Sequence, residues 1–147
     1  MFGISFIILV SIIFAVLYAP RAYCWFASLK PQKRLVSTKN NRLALFIPAR
    51  NEGKSVIPLL ESIDEQTYSR DYFDIFIVVK DPADEVYYYG NAVGAEVLCD
   101  PAQTCKGDCL NYGFNKIIHK YPGKYDGFII VDADCVLKPD FMEQMNN

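Results

Sequence analysis

Hydrophobic and polar positions divide the chain into three stretches. Residues 2–19, FGISFIILVSIIFAVLYA, are uncharged and almost wholly apolar. At about 1.5 Å per residue they make roughly 27 Å of helix, enough to cross a hydrocarbon core. Residues 20–41 are polar and basic, broken by Pro20 and Pro31 and ending in STKNN. From residue 43 onward, short apolar runs alternate with stretches of helical period. LALFIP (43–48) reads as a buried strand. Ser55 can cap a helix to about Gln66, with Pro58 in its first turn and Val56, Leu59, Leu60 and Ile63 inward. DIFIVV (74–79) predicts a second strand, 83–92 a helix, and AEVLC (95–99) a third strand. Residues 106–120 place Leu110, Phe114, Ile117 and Ile118 on one helical face. GFIIV (127–131) is a fourth strand, and Pro139 opens a last helix. Strand–helix alternation with strands apolar on both faces predicts a Rossmann-like α/β domain around a mostly parallel sheet.

Charge refines the first two stretches. Arg21, Lys30, Lys33, Arg34, Lys39 and Arg42 follow the apolar run, and no acidic residue precedes position 43. A cleaved signal peptide would want a basic segment before the run, and APRAYC is a poor cleavage site. Tyr18, Tyr23 and Trp25 cluster at the far end as an aromatic belt would. The pattern favours a single-pass transmembrane anchor over 1–20, a basic linker over 21–42 that can lie against anionic lipid, and a domain over 43–147. The positive-inside rule puts that domain in the cytoplasm. The chain has fifteen basic and seventeen acidic residues, six of the basic ones before position 43, so residues 43–147 carry about −8. That balance argues against a nucleic-acid partner.

Five cysteines, an odd number with no CxxC, read as reduced thiols of a cytoplasmic domain. Cys105, Cys109 and His119 lack the spacing of a usual zinc site.

The candidate chemistry sits where strands end. Asp132 and Asp134 close the fourth strand in FIIVDADCVLKPD. Residues two apart in an extended chain point to one side, so both carboxylates can face one site. Paired hard oxygen ligands suit Mg²⁺ or Mn²⁺ when phosphates supply further oxygens; the plain alternative is a pair that caps the next turn. Asp81 and Asp84 come after the second strand, where they can meet a base or ribose, or merely form a turn and an N-cap. IPARNEGKS after the first strand shapes a turn and presents a helix N-terminus, suited to anions, beside Arg50 and Lys54. CKGDCLN places Lys106 and Gly107 at the start of another helix.

IPARNE, the aspartates after VV, KGxxLN, and VDAD followed by xxxxPDF, in that order, resemble family 2 glycosyltransferases across about residues 43–145. The resemblance implies the GT-A fold and an inverting, metal-dependent transfer from a nucleotide-sugar, with UDP the default carrier. A saccharide or lipid-linked acceptor and a membrane setting go with it. It implies that Pro48, Ala49, Arg50 and Glu52 line the nucleotide pocket and that Asp81 contacts the base. Lys106 and Gly107 would lie near the nucleotide, Asp134 would hold Mg²⁺ or Mn²⁺, and Asp132 would sit by the ribose or metal. Arg50 stands where the family often has tyrosine, and Lys80 departs from its usual aspartate or alanine. The family's general base and QxxRW-like segment lie well beyond the DxD. Residues 43–147 therefore read as a partial domain, with the acceptor half elsewhere or on a partner chain. A nucleotide-binding fragment without turnover is the second reading. DADCV also fits the DxDx[TV] pattern of haloacid-dehalogenase-like phosphatases, which would make Asp132 a nucleophile, but that motif comes after the first strand of its domain.

Overall fold

The structure, a computed structural model, describes residues 2–30 and 36–147. It falls into two units, one containing the N-terminal helix and one beginning at Val36. Helix α1 (Phe2–Ser28) is long and apolar enough to cross a membrane, and its span-forming residues are unburied. Its 27 residues reach about 40 Å. It runs past the expected end near residue 19 because Pro20 removes one backbone donor without ending the helix. Arg21, Tyr23 and Trp25 consequently ride on α1 rather than in a linker. Pro31, Lys33 and Arg34 lie outside the described residues.

The second unit is built on four parallel strands: β1 (Leu43–Pro48), β2 (Phe73–Val79), β3 (Glu96–Cys99) and β4 (Gly127–Ile130). Between and after them come α2 (Ile57–Asp64), α3 (Glu85–Ala92), α4 (Lys106–Lys120) and α5 (Phe141–Asn146). Strand parity sorts the core into two layers. Odd positions Leu45, Ile47, Ile75, Ile77 and Val79 pack with Leu59, Leu60 and Ile63 of α2, Val86 of α3 and Met142 of α5. Even positions Ala44, Phe46, Phe76 and Val78 pack with Cys109 and Ile117 of α4. Each large apolar side chain so buried contributes roughly 1.5–3 kcal/mol. The expected α/β architecture is therefore present, with both faces of the parallel sheet covered.

Helices α3 and α5 each begin two residues later than expected, at Glu85 and Phe141, and the start of α2 differs in kind. Ser55 does not cap α2; a 3₁₀ turn over Gly53–Val56 comes first. The Ser55 hydroxyl instead donates back to the Glu52 carbonyl at 2.7 Å. Serine and its near neighbours compete with the helix for backbone groups, and here the local turn wins.

Sheet order is β3-β2-β1-β4. The chain moves outward from β1 to β3, then returns through α4 to lay β4 on the far side of β1. The order therefore reverses between β1 and β4. A crevice opens at the carboxyl ends of strands at such a reversal.

Candidate functional site

Three segments line the crevice: the loop after β1, the start of α4 and the loop after β4. A cavity of about 310 Å³ lies against Pro48, Ala49, Arg50, Glu52, Gln103, Lys106, Cys109, Asp132, Ala133 and Asp134.

The loop after β1 is turned sharply. The Ala49 amide still donates to the Val78 carbonyl at 2.9 Å, so the strand is anchored to its end. Asn51 then takes φ 58°, a left-handed conformation that asparagine tolerates better than most residues. Gly53 comes next but one, at φ 53°. This turn leaves Arg50 exposed, and its Nη1 donates to the Thr104 carbonyl at 2.6 Å. The bond clasps the β1 loop to the loop that leads into α4. Glu52 is held by the Ser55 hydroxyl at 3.0 Å.

The start of α4 is fixed by Asp108. Its carboxylate accepts the Thr104 amide at 2.9 Å, the Cys105 amide at 3.2 Å and the Thr104 hydroxyl. Hydrogen bonds from Thr104, then Cys105, hold its pKa down to about 2. This N-terminal lock sets Lys106, the first residue of α4, over the cavity. Its ammonium pairs with Asp132 Oδ1. Cys109, one turn on, is buried against the Val78 carbonyl. Burial pushes its thiol up to about 11, so it is no nucleophile at neutral pH.

Beyond β4, the Val131 amide extends the ladder to the Phe46 carbonyl at 3.0 Å. Val131 and Ala133 are buried, whereas Asp132 and Asp134 are exposed. The alternation keeps both carboxylates on the cavity side, although the chain has already left the strand. The Cys135 amide bonds the Asp132 carbonyl at 3.1 Å and begins a turn. The rest of this loop is pinned to the end of α2: Leu137 N–H donates to Ser62 Oγ at 3.0 Å, and Gln66 reaches the Lys138 carbonyl at 2.8 Å. Asp140 and Glu143 accept from Gln144 and Thr67.

Seven of the nine residues that the resemblance singles out thus line one cavity. Asp81 and Gly107 do not. Asp81 accepts the Ala83 amide at 2.8 Å in a turn after β2, and its neighbour Asp84 caps α3 through the Val86 amide at 3.0 Å. Gly107 lies on α4, where an added Cβ would meet only Cys105 Sγ at 3.5 Å. Gln103, Cys109 and Ala133 join the cavity unannounced. Gln103 is the consequential one: it is 2 % exposed, and its Nε2 has no hydrogen-bond partner. A lone loop glutamine carries no sequence signal of burial.

The donor set has a definite chemistry. Among the described residues no three histidine, cysteine, aspartate or glutamate side chains converge on a metal position. Asp132 and Asp134 supply two hard oxygens at a cavity that also presents Arg50 and Lys106. Such a set fits a small divalent cation that takes its remaining oxygens from phosphate and water.

No protein-family model matches the chain, and no curated protein matches it in sequence. Solved structures do resemble it. The fold is similar to that of the mannosyltransferase PcManGT from Pyrobaculum calidifontis, solved with GDP-Man and Mn²⁺, at TM-score 0.65 and 21% identity. That match covers 88% of this chain and 38% of the other. TarS of S. aureus, residues 1–349, matches at TM-score 0.56 and 18% identity over 71% of this chain and 31% of its own. The same TarS segment in complex with UDP-GlcNAc matches at TM-score 0.54 and 16% identity, over 71% and 30%. At these identities the likeness is one of fold. The chain spans well under half the length of these proteins.

Proposed function

We propose that residues 43–147 are the donor-binding part of an inverting, metal-dependent glycosyltransferase of family 2, which uses a nucleotide-sugar. The observation that carries this reading is the cavity at the β1/β4 reversal, where Arg50, Lys106, Asp132 and Asp134 meet beside the apolar wall of Pro48 and Ala49. The fold it shares with PcManGT and TarS, solved with GDP-Man and UDP-GlcNAc, supports the substrate class.

In this reading Arg50 and Lys106 meet the diphosphate. Pro48, Ala49 and Glu52 wall the nucleotide, with Gly107 at its edge and Asp81 toward the base. Asp134, with Asp132, would hold Mg²⁺ or Mn²⁺, which when bound would neutralise charge on the departing diphosphate. Lys106 then exchanges one anionic partner, Asp132, for another. The general base that takes the acceptor's hydroxyl proton is assigned to no residue of this chain, and a saccharide or lipid-linked acceptor would meet it in a region or partner chain beyond this one. Helix α1 would be a single-pass anchor holding this domain on the cytoplasmic side, with Arg21 and Lys30 at its inner end.

The test is calorimetric titration of the detergent-solubilised chain with UDP and GDP, with and without Mn²⁺. Tighter binding of one nucleotide with Mn²⁺ is expected, and loss of that difference in Asp134→Asn at unchanged melting temperature. Equal affinity with and without Mn²⁺ in both proteins would overturn the reading.

A further inference from the structure

Gln103 stands in the loop between β3 and α4, three residues before Lys106. Its backbone is settled, since its own N–H donates to the Asp100 carbonyl at 3.2 Å. Its side chain is not. The residue is almost wholly buried, its Nε2 has no partner, and it lines the cavity. A buried amide nitrogen without a partner costs free energy, and folded proteins rarely keep one without use. The amide's last torsion is broad, so the group can swing to present its donor to the cavity.

The surroundings select what it would meet. The cavity's cations, Arg50 and Lys106, are exposed and suit a solvated anion. Gln103 is neutral and buried, and it shares the cavity wall with Pro48, Ala49 and the protonated Cys109. A neutral donor among apolar surfaces matches a flat, uncharged ring carrying a carbonyl oxygen.

We infer that Gln103 Nε2 donates to a keto oxygen of the nucleobase and so determines base recognition at this cavity. The inference rests on the nucleotide-sugar reading above. It gives the base a contact on the α4 side of the cavity, where Asp81, tied into its own turn, does not reach the wall.

The test compares wild-type chain, Gln103→Met and Gln103→Glu in detergent with Mn²⁺, titrated with UDP, GDP and inorganic pyrophosphate. Methionine keeps the shape and loses the polar ends; glutamate keeps the shape and loses the donor. Both variants should weaken the preferred nucleoside diphosphate about tenfold, and in the uncharged Gln103→Met pyrophosphate should bind as before. Ligand-free Gln103→Met should melt no lower than wild type, because an unpartnered donor has been removed. The inference is overturned if the nucleotide binds all variants alike, as a structural water on Nε2 would produce. It is equally overturned if nucleotide and pyrophosphate weaken together in Gln103→Met, which would make Gln103 a phosphate contact or a prop. If wild type binds neither UDP nor GDP, the underlying reading fails and this one with it. If binding is Mn²⁺-dependent but blind to Gln103, only this one fails.

Discussion

Asp108 prepares the site without lining it. It takes three hydrogen bonds from Thr104 and Cys105 and thereby fixes the first turn of α4, which carries Lys106. The same bonds make it a poor proton acceptor, with a folded pKa of about 2 against about 4 for an unconstrained aspartate. The unfolded chain takes up the proton first as pH falls, so this group's stabilisation is complete above about pH 4 and is lost toward pH 2. Asp126, lowered chiefly by the Arg42 amide, adds to the same acid limb, as does Asp74, where burial raises the pKa but the bonds from Lys124 and Tyr125 and the charges of Lys124 and Arg42 together outweigh it. Asp108→Asn should therefore melt earlier at neutral pH and show a shallower decline between pH 4 and pH 2 than wild type. Parallel melting curves across that range would show that the lock contributes nothing. At this scale the sequence is partly legible. Carboxylates and cations at strand ends announce themselves by type and place. Whether a carboxylate is free or committed depends on backbone amides two or three residues away. That is why Asp81 and Asp84 read equally well as ligands or as turn and cap, and why buried Gln103 stays hidden.

Elements are more legible than their individual residues, because periodicity averages over many positions. Helix α4 matches its expected span of 106–120, and the four strands and the helices α2 and α3 differ from expectation by only a few terminal residues. The burial of both strand faces is legible too, since runs such as FIVV leave no polar face. The closeness of α4 to the sheet is not, and it depends on Gly113. A Cβ there would run into the Phe46 ring and stand 3.0 Å from Val78 Cγ2. Phe46 is fully buried and stacked on Phe114 at 5.3 Å, so it has little room to yield. Alanine is worth up to about 1 kcal/mol over glycine in a helix interior. Overpacking a core costs roughly 1–3 kcal/mol or more. Gly113→Ala is expected to lose stability on balance, lowering the melting temperature by several degrees. Gly107→Ala on the same helix, with only Cys105 Sγ at contact distance, should hold or raise it. If Gly113→Ala melts higher than wild type, α4 does not press on the sheet as described.

For the whole molecule, the two outer strands are finished differently. On β3, Glu96 pairs with Lys120 at 2.8 Å and accepts the Tyr121 hydroxyl at 2.7 Å, so that edge carries a guarded charge. The opposite edge is β4, Gly-Phe-Ile-Ile, which pairs with β1 and with no other strand among the described residues. It has no lysine, proline or charged side chain to discourage pairing. Ile130 is 46% exposed, and Val136, just past the acidic pair, is 68% exposed. An open, apolar strand edge is a template for another chain. The strand leads directly into the acidic pair Asp132 and Asp134 at the cavity. Residues 36–147, freed of α1, should accordingly sediment as a concentration-dependent mixture rather than a single monomer. Ile130→Lys should shift that mixture toward monomer with little change in melting temperature, since the side chain is half-exposed and the charge points to solvent. The opposing possibility is that the edge is protected by its short length alone, four residues being little to pair with. Analytical ultracentrifugation over a wide range of concentration separates the two: a wild-type unit monomeric throughout would mean that β4 needs no cover.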